Sequence, residues 1–357
     1  MTLKIETLAK IMVERRASDL HIHVDSPPQI RVDSKLVKLE YPSLTEDDCK
    51  TMIYLLLTTD EIKQFEDKKE LDKSYDLGDI GRFRVNVFYH RRAVCASLRV
   101  IPKEISGFRA LGLPEEQFLQ ICRSQRGLVL VTGATGVGKT TTLSAMIDHI
   151  NSERHCHIVT VEDPVEFVHL NKKSLVSQRE IGTDTDSYSG ALKYVLRQDP
   201  DVILIGEMRD VETIQAALNI AETGHLVFAT LHTSDCVQTI NRIIDVFPAS
   251  QQSQVRTQLS FVLLATVSQQ LIPRSDENGR ALAVEIMISN FGIRAMIREE
   301  KIHQIFSLIQ TGQKDGMKTM NQSLFELYKQ GLISYQEAAL HVTDHDDFKR
   351  FFKHSST

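Results

Sequence analysis

The sequence predicts an α/β protein of two domains, the second built on a parallel sheet. Three observations carry this. A glycine-rich loop lies between a strand and a helix, continuous apolar runs alternate with helical stretches beyond residue 127, and strands of alternating polarity are confined to the first hundred residues. A chain of 357 residues also exceeds the roughly 300 at which single cores stop growing, so two domains are expected.

In the first domain, residues 1–102, helical spacing runs over 3–16 and strand-like alternation over 19–24. Pro27-Pro28 marks a turn before a hairpin arm at 29–33. A single helix is expected over 46–65, followed by alternating strands at 82–89 and 93–101. Periodicity breaks between Pro102 and Pro114, with Gly107 and Gly112 inside, so residues 103–114 read as a linker. The core expected over 115–289 contains the apolar runs 128–132, 158–161, 202–205 and 226–231. Strands without alternation are buried on both faces, as in a parallel sheet flanked by helices, which is the RecA-like arrangement. Residues 290–357 read as helices only, at 291–298, 302–310, 319–330 and 335–341.

The loop is Gly133-Ala134-Thr135-Gly136-Val137-Gly138-Lys139-Thr140, the full G-x-x-x-x-G-K-[ST] pattern, followed by Thr141 at a helix start. Its glycines permit a tight turn with backbone N–H groups facing phosphates, aided by the positive end of the helix. Lys139 is of a length to reach β- and γ-phosphates, and the Thr140 hydroxyl is a ligand type suited to Mg²⁺. The implied ligands are ATP and Mg²⁺.

Hydrolysis needs an acid that orients or deprotonates water. One run ends in Glu162-Asp163-Pro164-Val165-Glu166, another in Gly206-Glu207-Met208-Arg209-Asp210, a Walker B-like segment. Strand ends on the carboxyl side are where α/β sheets place ligands. One carboxylate there can organise Mg²⁺ and its waters, and another can orient the attacking water. For any single acid the competing role is a helix N-cap or a solvated loop. A fourth run ends in Thr230-Leu231-His232-Thr233, which brings His232 to the same edge. Arg197 and Arg209 are candidate γ-phosphate clamps, with an intramolecular salt bridge the equal alternative for either.

Composition bounds the rest. The chain is 42% apolar and 25% charged with 9 prolines, as in ordinary globular proteins. No run approaches the roughly 18 apolar residues of a membrane span, and the start of the chain lacks the pattern of a secretory signal. Five scattered cysteines without a C-x-x-C pair point away from disulfides and structural zinc, towards a cytoplasmic setting. A net charge of −5 and the lack of tryptophan count against a nucleic-acid motor, so no nucleic acid is expected as partner. Arg82, Arg84, Arg91, Arg92 and Arg99 form a local basic stretch, for which an interface between copies serves as well as a nucleic acid.

The segments EDPVEF at 162–167, QREIG at 178–182, LRQDPDVILIGEMRD at 196–210, AETGHLVFATLHT at 221–233 and ASDLHI at 17–22 resemble the secretion ATPases of type IV pili. The resemblance runs nearly end to end, through the segment 297–324, and is strongest to the retraction branch. It implies a PAS-like first domain joined to a RecA-like ATPase domain, a homo-hexamer, and a place at the cytoplasmic face of the inner membrane. The implied partner there is a PilC-like platform protein. It also implies that Glu166 is the catalytic acid of an Asp box at 157–169, that Glu207 belongs to Walker B, and that His232 belongs to a His box. Arg82, Arg84 and Arg99 become candidates to reach a neighbour's nucleotide. One departure falls on a helix tied to retraction, which here reads Gly292-Ile293-Arg294-Ala295-Met296-Ile297-Arg298-Glu299. A PilU-like accessory paralogue is therefore the alternative identity, as well as a candidate partner.

Overall fold

Alternation and continuous apolarity fold into two different sheets. The computed structural model describes residues 3–32, 35–78, 80–101, 104–277 and 279–354, so Asp33, Pro102 and Lys103 of the expected hairpin arm and linker lie outside the described residues. The chain divides into two compact units, one of Met1–Glu104 with Pro164–Val168, the other of Ile105–Asp163 with His169–Thr357.

The first unit runs α1 (Ile5–Glu14), β1 (Asp19–Ile22), β2 (Gln29–Val32), β3 (Lys35–Lys38), α2 (Glu46–Tyr54), α3 (Thr59–Lys68), β4 (Glu70–Asp76), β5 (Arg82–His90) and β6 (Ala93–Ile101). Its strands pair in the order β3-β2-β1-β6-β5-β4, each pair antiparallel. Leu20, Ile30, Phe83, Val85, Val87 and Leu98 are buried with Leu8, Met12, Ile53 and Phe65 of the helices. The alternate positions, Asp19, Arg31, Arg84 and Arg99, carry polar side chains, which is the two-period pattern of a half-buried sheet. The outermost strand β3 is exposed at every residue. Residues 46–65 form two helices rather than one. Thr58 accepts from the Glu61 N–H and Glu61 accepts from the Thr58 N–H, a capping box that starts a new helix where continuous spacing suggests none.

The second unit runs α4 (Glu115–Arg123), β7 (Gly127–Thr132), α5 (Lys139–Glu153), β8 (His157–Glu162), β9 (Leu175–Glu180), α6 (Tyr188–Val195), β10 (Val202–Ile205), α7 (Val211–Glu222), β11 (Leu226–Leu231), α8 (Cys236–Asp245), α9 (Ala249–Val262), β12 (Leu263–Pro273) and β13 (Arg280–Ile288). Five helices follow: α10 (Phe291–Arg298), α11 (Ile305–Thr311), α12 (Met320–Lys329), α13 (Tyr335–His341) and α14 (His345–His354). The sheet order is β13-β12-β7-β11-β10-β8-β9, parallel throughout except for the β12/β13 hairpin. Every residue of β7, β10 and β11 is buried, as continuous apolarity requires. Residues 105–114, expected as linker, pack into this unit, with Phe108 and Leu113 buried beside Phe118. Among the described residues no helix is long and apolar enough to cross a membrane.

The last helices are held by a buried polar network. Asn321, wholly buried, donates to Asp347 Oδ2 and to the Asp344 carbonyl, each at 2.9 Å, and accepts from the Thr343 N–H at 3.0 Å. Gln310 donates to the other Asp347 oxygen at 2.7 Å. Removing one partner of such a network strands the others at about 1–3 kcal/mol per buried group. Asn321→Ala is expected to lower stability by at least about that amount. Chemical denaturation would check it, and an unshifted midpoint would mean the network contributes nothing net.

Candidate nucleotide site

Parallel pairing decides which residues meet. Thr132 stands opposite Leu231, and Ile205 is flanked by Ala229 and Val161, so β7, β8, β10 and β11 all end at one edge. The segments that leave them carry Gly133 to Thr140, Glu162-Asp163, Gly206-Glu207 and His232.

Gly133 has φ +135°, and a Cβ there would lie 2.5 Å from the Gln269 carbonyl oxygen and 2.9 Å from Val137 Cγ2. Only glycine fits. Gly138, at φ +90°, immediately precedes α5 and turns the backbone into its first turn. Ala134, Thr135 and Gly136 are exposed, while Val137, Thr140 and Thr141 are half-buried. Lys139 Nζ donates to the Gly133 carbonyl at 2.7 Å and the Ala134 carbonyl at 3.0 Å, and lies 3.5 Å from His232 Nδ1. Beneath the loop, Gln269 of β12 donates to Thr142 Oγ1 at 2.7 Å, and Ser268 Oγ meets Thr132 Oγ1 at 2.7 Å.

Glu207 is the centre of the charge cluster. Arg209 grips both its oxygens, Nε to Oε1 at 2.6 Å and a terminal nitrogen to Oε2 at 2.7 Å, and His232 Nε2 lies 3.1 Å from Oε1. Partial burial would raise the Glu207 carboxyl. The Arg209 hydrogen bonds, with the charges of His232 and Arg209, outweigh that and hold it below the usual carboxylate range. His232 stands between the two groups, with Nδ1 turned towards Lys139 and Nε2 towards Glu207. Lys139, His232, Glu207 and Arg209 therefore form one chain of contacts along the edge.

The other expected residues divide. Glu162 is buried and accepts from Thr160 Oγ1 at 2.6 Å and Gln178 Nε2 at 3.1 Å; Asp163 is exposed. Glu166 is in Pro164–Val168, grouped with the first unit, and is half-buried between buried Val165 and Phe167. Arg197 is not at this edge. It lies in the short turn Leu196–Gln198 that leads into the start of β10, exposed against the Tyr194 ring, while the Gln198 carbonyl pairs with His157 at the start of β8. In a parallel sheet that is the amino edge, so Arg197 is no clamp for the phosphate loop of its own chain.

Three residues at the site escaped the sequence reading. Gln269 and Ser268 support the loop from a strand whose polar centre hid it. The Tyr188 hydroxyl lies over Gly206, where a Cβ would come within 2.7 Å of it. Burial and the Asp163, Glu207 and Glu162 carboxylates push its ionisation up.

In the first unit, β-sheet register places Arg84 beside Arg99, Arg99 beside Asp19, and Asp19 beside Arg31. Arg99 Nε donates to Asp19 at 2.8 Å, Arg84 Nε lies 3.9 Å from Asp72, and Arg82 donates to Ser74 Oγ at 2.7 Å. Arg91 and Arg92 instead form the two-residue turn between β5 and β6, both at positive φ.

The family described as Type II/IV secretion system protein matches residues 2–340. The chain is 46% identical to the type IV pilus retraction ATPase PilT of Pseudomonas aeruginosa, over 94% of this chain and 97% of that one. It is 38% identical to the type IV pilus ATPase PilU of the same organism, over 98% and 92%. A crystal structure of the pilus retraction motor PilT with bound ADP is similar at TM-score 0.92 and 46% identity, covering 98% of this chain and 99% of that one.

The tight approach at Gly133 gives a direct test. Gly133→Ala must displace the Gln269 backbone or distort the loop, at about 1–3 kcal/mol for a strained residue. It is expected to weaken binding of a fluorescent adenine nucleotide by about tenfold or more. Unchanged affinity would mean the loop does not hold the ligand.

Proposed function

The chain belongs to the Type II/IV secretion system protein family, and on that premise we propose that it is a hexameric ATPase motor that hydrolyses ATP to retract type IV pili. The observation that carries this reading is the Lys139–His232–Glu207–Arg209 chain at the edge of a parallel sheet, beside a complete phosphate loop. The near full-length similarity to a retraction motor supports the mechanical role, and its bound ADP supports an adenine nucleotide as ligand. The lower identity to PilU, 38% against 46% for PilT, favours the retraction motor over the accessory paralogue.

In this mechanism the loop N–H groups at Gly136, Gly138 and Lys139 bind the phosphate chain, and the Lys139 ammonium exchanges loop carbonyls for phosphate oxygens. Mg²⁺ fits a site of this kind. Among the described residues no cluster of three His, Cys, Asp or Glu could hold a metal, so a cation here takes the Thr140 hydroxyl, Glu207 through water, and the phosphates. When bound, it supplies neutralisation of phosphate charge. Glu166 removes the proton from the attacking water. His232 reports the state of the γ-phosphate through its contacts with Lys139 and Glu207. Arg209 holds Glu207 ionised at neutral pH, and Arg82, Arg84, Arg99 and Arg197 are donors available to the nucleotide of a neighbouring copy. Work passes to a PilC-like platform protein at the cytoplasmic face of the inner membrane, with a PilU-like paralogue as helper.

ATP hydrolysis by the purified protein, measured with its mass in solution, tests the reading. Glu166→Ala is expected to cut kcat by about 10²–10⁴-fold while the hexamer persists, the range for losing a general base. Glu207→Ala is expected to keep the ring and abolish turnover. An inactive wild-type monomer would sink the motor.

The Glu207 shift predicts a pH effect with a definite sign. Its carboxyl is depressed in the folded protein, so the charged form is favoured above its ordinary range and lost as pH falls through the folded value. Arg209→Ala removes the main depressing partner, and the acid limb of the kcat profile is expected to move to higher pH. An unmoved limb would assign that limb to another group.

A further inference from the structure

Glu285 is a carboxylate with no cation. It sits in the middle of β13, is 2% exposed, and forms no ion pair among the described residues. Its Oε1 accepts the Cys236 N–H at 2.8 Å and its Oε2 accepts the Met320 N–H at 3.4 Å. Those two residues are the first of α8 and the first of α12. One buried side chain thus accepts at two helix N-termini: burial pushes its carboxyl above the usual range, and the orphan N–H groups and positive ends of the two helix dipoles offset part of that.

Both helices matter to the site. α8 starts four residues after His232, and the intervening turn is fixed by Asp235, which accepts from Gln238 N–H at 2.7 Å, and by a Thr233–Thr239 hydroxyl contact of 2.6 Å. Cys236 also touches β12, the strand that supports the phosphate loop. Its thiol donates to the Thr266 carbonyl at 3.5 Å and lies 3.8 Å from Ser268 Oγ, the group paired with Thr132. The other oxygen leads away, to the C-terminal helices that Asn321 and Asp347 lock together.

We propose that Glu285 is a positioning residue for His232, setting the height of the α8 N-terminus and hence the reach of the imidazole to Lys139 and Glu207, and tying that reach to the seat of α12. Glu285 touches neither nucleotide nor reacting atoms in this arrangement. It acts through the Cys236 N–H. A shift of α12 is then felt at His232 without any change at the phosphate loop's own glycines.

This inference rests on the ATPase reading above, and the experiment separates the two. Wild type, Glu285→Gln, His232→Ala and the double variant are compared for kcat, KM for ATP, nucleotide affinity and hexamer mass. Glu285→Gln keeps the shape but turns an amide N–H towards one of the two backbone donors. It is expected to lower kcat about tenfold with KM within about twofold and the ring intact. In the His232→Ala background the same substitution is expected to have no further effect on kcat, because both act through one group. Equal losses in both backgrounds, or an unaltered kcat in Glu285→Gln, would overturn the proposal, whereas an inactive wild type would instead count against the ATPase reading. Should Glu285→Gln fail to assemble, Cys236→Pro against Cys236→Ala isolates the same hydrogen bond. Proline is tolerated at the first position of a helix and deletes the N–H, so a loss confined to the proline variant supports the proposal and equal behaviour of the two overturns it.

Discussion

The parallel register of four strands is the constraint on which the site depends. Hydrogen bonds between β7, β11, β10 and β8 fix where each strand ends, and a slip of one residue would turn every side chain to the other face. With the register fixed, residues 93 positions apart, Lys139 and His232, come within 3.5 Å of one another. The glycines are consequences of that closeness. Gly133 yields to the Gln269 backbone and Gly206 yields to the Tyr188 hydroxyl.

The charge chain along this edge is centred on one anion, the Glu207 carboxylate, which lies between the Arg209 guanidinium and the His232 ring. Arg209 keeps Glu207 ionised, Glu207 orients the His232 ring, and His232 faces the ammonium of Lys139. Preorganised charges of this kind do their work without rearranging solvent during the reaction.

What was legible in the sequence was what local rules govern. Gly138-Lys139-Thr140 reads as a phosphate loop because a turn, a dipole and a cation must sit side by side. The apolar strands β7, β10 and β11 read correctly because burial on both faces removes alternation. β12 did not, since Ser268 and Gln269 are buried polar residues at its centre, kept there by Thr132 of β7 and Thr142 of α5. The break between α2 and α3 turns on one capping box, visible only when Thr58 and Glu61 are read as a pair. That Arg197 lies at the amino edge was not legible, because nearness to a strand does not say at which end of the sheet a residue lies. Tyr188 and Glu285 gave no local signal at all; their environments are assembled by residues far away in sequence.

The fully exposed strand β3 has a consequence of its own. Its sequence Lys35-Leu36-Val37-Lys38 puts two half-exposed aliphatic side chains on an unpaired sheet edge, with Leu36 51% and Val37 39% exposed. Such an edge is a template for adding a strand from another molecule. The lysines at both ends bring like charges together whenever two of these edges approach, which repels edge-to-edge growth while leaving the strand free to pair with β2. Lys35 and Lys38 therefore oppose self-association at this edge of the first sheet.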